Sequence, residues 1–204
     1  TDEDHVSGLL EYLAMGESGV TVFVPELENK DFHALLMDES TGKTNAGCEL
    51  VEIACGSSAT LDKLEFICVY PDETNNTSSQ NDTSMVLLLK YNDFTMLFTG
   101  DVSGAHEETI AENVLKYSGE QEIDVLKVSH HGSKYSTSES FLECLKPKNA
   151  VISCGIDNMY NHPADELIQR LKRAEIEYFI TTRKGQITIG CDNESNYNIM
   201  TFQD

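Results

Sequence analysis

Apolar residues recur along this chain at two spacings. Val6, Leu9, Leu10 and Leu13 fall three and four apart, which predicts a helix, and Gly16 fits its stop. Ile110, Ala111, Val114 and Leu115 repeat the pattern, with Gly119 beyond the end. A third helix is expected through Phe141, Leu142 and Leu145, with Ser136 and Glu139 at capping-box spacing and Pro147 as its stop. A fourth carries Leu167, Ile168 and Leu171, with Pro163 as its first residue, Asp165 and Glu166 in its first turn, and Lys172 and Arg173 near its end. Short β-branched or aromatic runs predict strands at 20–24, 64–70, 85–91, 94–99, 123–129, 150–154, 178–181, 186–189 and 197–202. Asn92-Asp93 between two of them is a hairpin turn. Residues 26–63 are the least patterned, with a possible helix through Leu35-Leu36, and 72–84 is a loop by composition. No repeat or linker divides the chain, so 1–204 is expected to be a single α/β domain.

Three of the predicted strands run out into side chains that bind metals or carry protons. Residues 94–99 end on Gly100-Asp101. The run 123–129 ends on His130-His131-Gly132-Ser133, and 150–154 leads to a loop holding His162-Pro163. Active sites of open α/β sheets lie at such strand ends. Asp2, Asp4 and His5 bring two carboxylates and an imidazole together at the start of the first helix, donors suited to a divalent cation. Taken singly, each signal has a plain alternative: a solvated acidic tail, a turn or helix-capping aspartate, a strand end with a structural histidine, or a helix cap. His33 reads as a surface residue, and His106 as decoration on the helix after Asp101.

Charge narrows the picture. Fourteen basic residues stand against 35 acidic ones, a net charge of −21. A chain so acidic is not a general binder of the phosphate backbone, which takes Lys and Arg. Six cysteines form no CxxC pair and read as free thiols in a reducing compartment. No apolar run is long enough to span a membrane. GxSxG, P-loop and GxGxxG motifs are all absent, so a serine hydrolase would have to rest on Ser133 alone.

The order of the signals, an acidic-His loop, strand-Asp, strand-His-His and strand-loop-His, resembles the metallo-β-lactamase superfamily. The resemblance is closest to the ComEC-type competence-protein hydrolase domain and its stand-alone relatives. The group's first metal motif reads His-x-Asp-x-Asp-His before an Ile/Val-x-Gly-Leu helix, and Thr1 to Leu9 matches it from the second position onward. Asn81 to Val86 resembles its Asn-rich Ser-Leu-Val stretch, Leu97 to Asp101 its strand-TGD motif, and Asp124 to Ser133 its DVLKV-x-HHGS motif. Ile152 to Pro163 resembles its IS-x-G…N-x-Y-x-HP segment.

What the resemblance implies is an αββα sandwich, the metallo-β-lactamase fold, missing its first strands because the chain opens on a motif already in progress. It also implies one or two divalent metal ions, zinc or manganese, with Asp2, Asp4, His5, Asp101 and His162 as ligands. His130, His131 and Ser133 would handle substrate or donate protons beside them, and Asp4 could take a proton from the nucleophile. Where many relatives carry a further metal histidine, this chain has Asn81 and Asp82. The expected reaction is hydrolysis of a phosphodiester, with DNA as substrate in an uptake role and a membrane channel domain as a partner in the parent protein. An extracytoplasmic face would suit such a parent, and the cytoplasm a stand-alone relative. The alternatives are hydrolysis of a small ester, thioester or lactone, and a degenerate binding module without catalysis.

Overall fold

The computed structural model describes residues 3–15, 19–25, 37–38, 43–44, 49–72 and 79–203, with backbone alone at 3, 4, 6, 14, 37, 38, 43 and 44. The expected helix through Leu35-Leu36 lies outside these residues, as do Asp2, His33 and the side chain of Asp4. Contacts divide the chain into two compact units, Thr1–Ile53 and Ala54–Asp204.

In the first unit, helix α1 spans Glu3–Ala14 and β1 spans Thr21–Pro25. Strands β2 (Met37–Asp38) and β3 (Lys43–Thr44) pair antiparallel. Strand β4 (Glu49–Ile53) pairs parallel with β1. Leu13 of α1 is buried with Val22 and Val24 of β1, and Leu9, Leu10 and Leu50 pack around them. The predicted apolar helix face is thus the packed one.

The second unit is built on a seven-stranded sheet. In chain order its strands are β5 (Ser58–Leu61), β6 (Leu64–Tyr70), β7 (Val86–Tyr91), β8 (Phe94–Phe98), β9 (Val125–Lys127), β10 (Asn149–Ile152) and β11 (Glu177–Ile180). Their order across the sheet is β11-β10-β9-β8-β7-β6-β5. Strands β5 to β8 run as an antiparallel meander, and β8 to β11 run parallel. Tyr91 pairs with Phe94, so Asn92-Asp93 is the two-residue turn that the sequence predicts.

Alternation along the strands sorts the side chains onto two faces. Leu88, Leu97, Leu126 and Ile152 face helices α2 (Glu107–Ser118), α3 (Glu139–Leu145) and α4 (Asp165–Arg173), meeting Ile110, Val114, Leu142, Leu145, Leu167 and Leu171. Met96, Val125 and Val151 face the other way, onto Ile187, Ile189, Tyr197 and Ile199 of a hairpin formed by β12 (Ile187–Cys191) and β13 (Tyr197–Thr201). A short helix α5 (Thr181–Lys184) joins β11 to that hairpin. Helices, sheet and hairpin are stacked layers of the α/β class.

Two predicted helix starts move. Ser138, not Ser136, caps α3, its Oγ accepting the Phe141 N–H at 3.3 Å. The Ser136 hydroxyl is used in the turn before it, donating to the carbonyls of Ser129 and Ser133. Helix α4 starts at Asp165, with Ala164 as its cap, so Pro163 precedes the helix instead of opening it. Cys55, Cys68, Cys144, Cys154 and Cys191 are free thiols. No helix among the described residues is long and apolar enough to cross a membrane.

Candidate metal centre

Parallel pairing places the C-terminal ends of β8, β9 and β10 on one edge of the sheet. In register, Phe98 pairs with Lys127, and Lys127 with Val151. Asp101 and His130 each follow three residues later, and hydrogen bonds lock the two strand exits together. The His130 N–H donates to the Gly100 carbonyl at 3.0 Å, and the Ser129 hydroxyl to the Val102 carbonyl at 2.5 Å. The Thr99 hydroxyl donates to the Lys127 carbonyl at 2.6 Å.

Asp101 is buried, 6% exposed. Its backbone N–H donates to Ser84 Oγ at 3.0 Å, and two residues on the Ser103 N–H donates to Asp82 Oδ1 at 2.9 Å. Gly100 has φ +53, and a Cβ there would stand 2.8 Å from the Ser84 Cβ, so the turn closes tightly on Ser84. The 81–84 turn therefore fixes the Asp101 backbone from behind. Asp82 also lies 3.6 Å from His106 Nε2, and the Tyr70 hydroxyl donates to the Asp82 carbonyl at 3.1 Å. Burial raises the Asp82 pKa, but hydrogen bonds from Ser103 and the nearby His106 outweigh it and hold the carboxyl below its ordinary value. His106 thus contacts Asp82 and the Tyr70 ring instead of merely decorating its helix, a pairing no local pattern announces.

His130 and His131 both adopt left-handed backbone, φ 47 and φ 53. Each such residue costs about 1–2 kcal/mol, a strain that clusters at functional sites. His131 Nδ1 lies 2.9 Å from the Ser153 carbonyl at the end of β10. A carbonyl has no proton to give, so Nδ1 carries the hydrogen, and in the neutral ring the lone pair is on Nε2. That Nε2 lies 3.3 Å from Asp101 Oδ2. A lone pair facing a carboxylate needs a positive centre. A proton on Nε2 would supply it in the cation-free chain, and acceptance by the Asp101 carboxylate accordingly raises the His131 pKa despite opposition from burial.

Gly132 has φ +90, and a Cβ on it would stand 2.7 Å from the Pro163 Cβ. Its carbonyl accepts the Ala164 N–H at 2.9 Å. This close approach brings His162 against His130, with ring centroids 5.7 Å apart. His162 Nδ1 is buried and has no hydrogen-bond partner among the described residues. Burial, then repulsion from His130 and His131, lowers the His162 pKa and favours a neutral ring. Ser133 is buried and serves its own turn, its N–H donating to the His130 carbonyl and its Oγ accepting the Tyr135 N–H.

A buried carboxylate and an imidazole oriented through Nδ1 by a carbonyl are donors suited to a divalent cation, and a second imidazole with a buried bare nitrogen stands beside His130 next to them. Asp101, His131 and His162 therefore fit such an ion by their own chemistry. His131 has the orientation of a ligand, closer to the centre than a purely substrate-handling role requires. His5 lies on the first turn of α1, in the other unit.

Known proteins resemble this chain in sequence and in fold. A family model described as the metallo-beta-lactamase superfamily matches residues 77–156. ComE operon protein 3 of Bacillus subtilis is 32% identical over 188 residues, 91% of this chain and 23% of that protein. The chain carries a metallo-β-lactamase superfamily domain. Competence protein ComA of Neisseria gonorrhoeae is 33% identical over 129 residues, covering 63% of this chain and 18% of that protein. The chain spans less than a quarter of the length of these curated relatives. The metallo-beta-lactamase fold protein YhfI of Bacillus subtilis superposes with a TM-score of 0.55 at 12% identity, over 88% of this chain and 70% of that one. CmlA, a diiron beta-hydroxylase of Streptomyces venezuelae, superposes at 0.51 and 13% identity, over 78% and 38%. The metallo-β-lactamase fold expected from the motifs is thus the fold of this chain. Members of the superfamily are generally metal-dependent hydrolases, often with zinc or iron.

The sequence signals missed the supports of the centre. Asp82 and Ser84 stood inside a polar loop, and the Ser153 contribution is a backbone carbonyl with no residue signature. Glu107 is a third support. It is buried, and its carboxylate accepts the N–H groups of Thr137 and Ser138, pinning the segment after His131 to α2.

Proposed function

We propose that this metallo-β-lactamase-fold chain is a divalent-metal phosphodiesterase acting on nucleic acid, DNA in a competence-related uptake role. The observation that carries the reading is the pair of buried Asp101 and half-buried His131, oriented by the Ser153 carbonyl, with His162 and His130 alongside. Asp101, His131 and His162 would hold the cation, zinc or manganese. A divalent ion there supplies Lewis acidity toward a phosphoryl oxygen and makes water a better acid. The Ser84 and Asp82 contacts keep Asp101 in place without reorganisation, which is how preorganised sites lower barriers. His130 is half-buried at the rim beside His162 and would give a proton to the leaving oxygen.

The order of motifs makes Asp2, Asp4 and His5 further ligand candidates, with Asp4 also a proton acceptor. Support for DNA comes from relatives named as competence proteins, ComA of Neisseria gonorrhoeae among them. A membrane channel partner and an outward-facing compartment for the parent protein are part of the same proposal. One observation favours a second reading: a net charge of −21 suits a small ester, thioester or lactone better than a polyanion. One metal-loaded preparation assayed against single-stranded DNA and against thioester and lactone substrates separates the two. Cleavage of DNA, lost in His131→Ala, supports the phosphodiesterase. Turnover of the small esters alone replaces it with the second reading.

A further inference from the structure

The loop between β10 and His162 is closed by one side chain. Asn158 Nδ2 donates to the carbonyls of Gly155 at 3.0 Å and His162 at 2.7 Å, while its Oδ1 accepts the His162 N–H at 2.8 Å. The Asn161 N–H donates back to the Asn158 carbonyl at 3.2 Å. A loop tied in this way is preorganised, yet it turns its large apolar side chains outward. Ile156, Met159 and Tyr160 are 76%, 82% and 73% exposed. An exposed apolar cluster on an ordered loop marks a recognition surface, since burying these side chains would favour folding.

Tyr160 gives that surface a direction. Its ring stacks on the His162 imidazole, with centroids 5.8 Å apart and planes 21° apart. His162 in turn meets His130 edge-on at 5.7 Å. A line of rings thus leads from the candidate metal centre out to a flat aromatic face in solvent.

We infer that Tyr160, flanked by Ile156 and Met159, is a stacking platform for an unpaired nucleobase of a single-stranded substrate, one ring away from the centre that cuts it. The inference rests on the phosphodiesterase reading and names how that site takes its substrate. The flat, exposed ring face beside the candidate centre selects this occupant. With a net charge of −21 the chain gains little from attraction to phosphates, so its grip on a strand comes from cation and bases. Base-on-aromatic stacking supplies affinity without positive charge and without sequence preference. Bases in a duplex have both faces covered by their neighbours, so an exposed tyrosine selects single strands.

The test uses the full chain and a fluorescein-labelled short oligothymidylate with non-hydrolysable methylphosphonate linkages, beside an abasic oligomer of the same backbone. Fluorescence anisotropy reads both dissociation constants. The wild type binds the base-bearing oligomer about tenfold more tightly than the abasic one. Tyr160→Ala removes that preference and Tyr160→Phe keeps it. Equal binding of the two oligomers by the wild type overturns the platform, as does a Tyr160→Ala loss that is the same for both. Self-association or binding to lipid vesicles that vanishes in Met159→Ser, with no base preference, also overturns it and gives the loop to a second copy or a membrane. Hydrolysis of bis(p-nitrophenyl) phosphate tests the underlying reaction separately. Hydrolysis without base preference removes the platform alone, and base preference without hydrolysis of any diester removes the reaction alone.

Discussion

Replacing Asp82 by alanine tests whether the 81–84 turn holds Asp101 of the candidate metal centre in place. The Asp82 side chain is buried, 9% exposed, and Oδ1 accepts the Ser103 N–H at 2.9 Å. Asp82→Ala leaves that N–H without its charged acceptor, a loss of about 2–3 kcal/mol. The His106 contact, at 3.6 Å and partly exposed, adds less than about 1 kcal/mol. In a unit of this size each kcal/mol lowers the melting temperature by about 2–4 °C, so a drop of about 4–12 °C is expected. Asp82→Asn retains an oxygen acceptor and melts much closer to the wild type. Because the Asp82 pKa is held down, its stabilisation is full above about pH 4 and is lost as pH falls through the depressed value. Circular-dichroism melts at pH 7 and pH 3 read both effects, and phosphodiester turnover below the melt reads positioning through kcat. An Asp82→Ala protein that melts with the wild type and keeps its kcat would refute the reasoning.

Other substitutions probe the remaining supports. Gly132→Ala combines a φ of +90 with a Cβ 2.7 Å from Pro163, so it destabilises by at least about 1–2 kcal/mol and weakens cation binding by moving His162, read by melting and calorimetry. Glu107→Ala strips two backbone N–H groups of their acceptor and costs about 2–4 kcal/mol, with faster hydrogen exchange at Thr137 and Ser138 as the local readout. Asp101 raises the His131 pKa, so in the cation-free chain the pair's stabilisation is full below about pH 6.5 and disappears as pH rises through the raised value. Urea melts across pH 6 to 9 should show this decline, and His131→Gln should flatten it.

The candidate site residues stand out in the sequence because strand patterning and motif order coincide. The runs before Asp101 and His130 are short, apolar and bounded by Gly, and parallel pairing turns their ends into one edge. The Asn92-Asp93 hairpin was readable for a similar local reason, since its turn chemistry fixes the register on both sides. Strands β4 and β5 escaped notice because Glu49–Ile53 and Ser58–Leu61 are short and half exposed, so no alternation stands out. The cap of α3 was misplaced by two residues because Ser136 and Ser138 are equally good caps, and only the turn after His131 decides between them. His106 looked like decoration because its partner, Asp82, lies across the fold and no helical or strand spacing connects them. Ser133 reads as a substrate-handling residue because sequence cannot show that its N–H already serves the His130 carbonyl. Its neighbour His131 looked like a substrate contact for the same reason: the Ser153 carbonyl that orients it is invisible in a side-chain pattern.

Under the proposed function, Asp101, His131 and His162 hold a divalent ion that drives phosphodiester hydrolysis. Isothermal titration of Mn²⁺ or Zn²⁺ into the cation-free chain, paired with hydrolysis of bis(p-nitrophenyl) phosphate on the same samples, tests it most directly. The account predicts saturable cation binding and hydrolysis by the wild type, with both lost in Asp101→Ala and both sharply weakened in His131→Ala. A wild type that takes up no cation, or variants that bind and hydrolyse as it does, would contradict it.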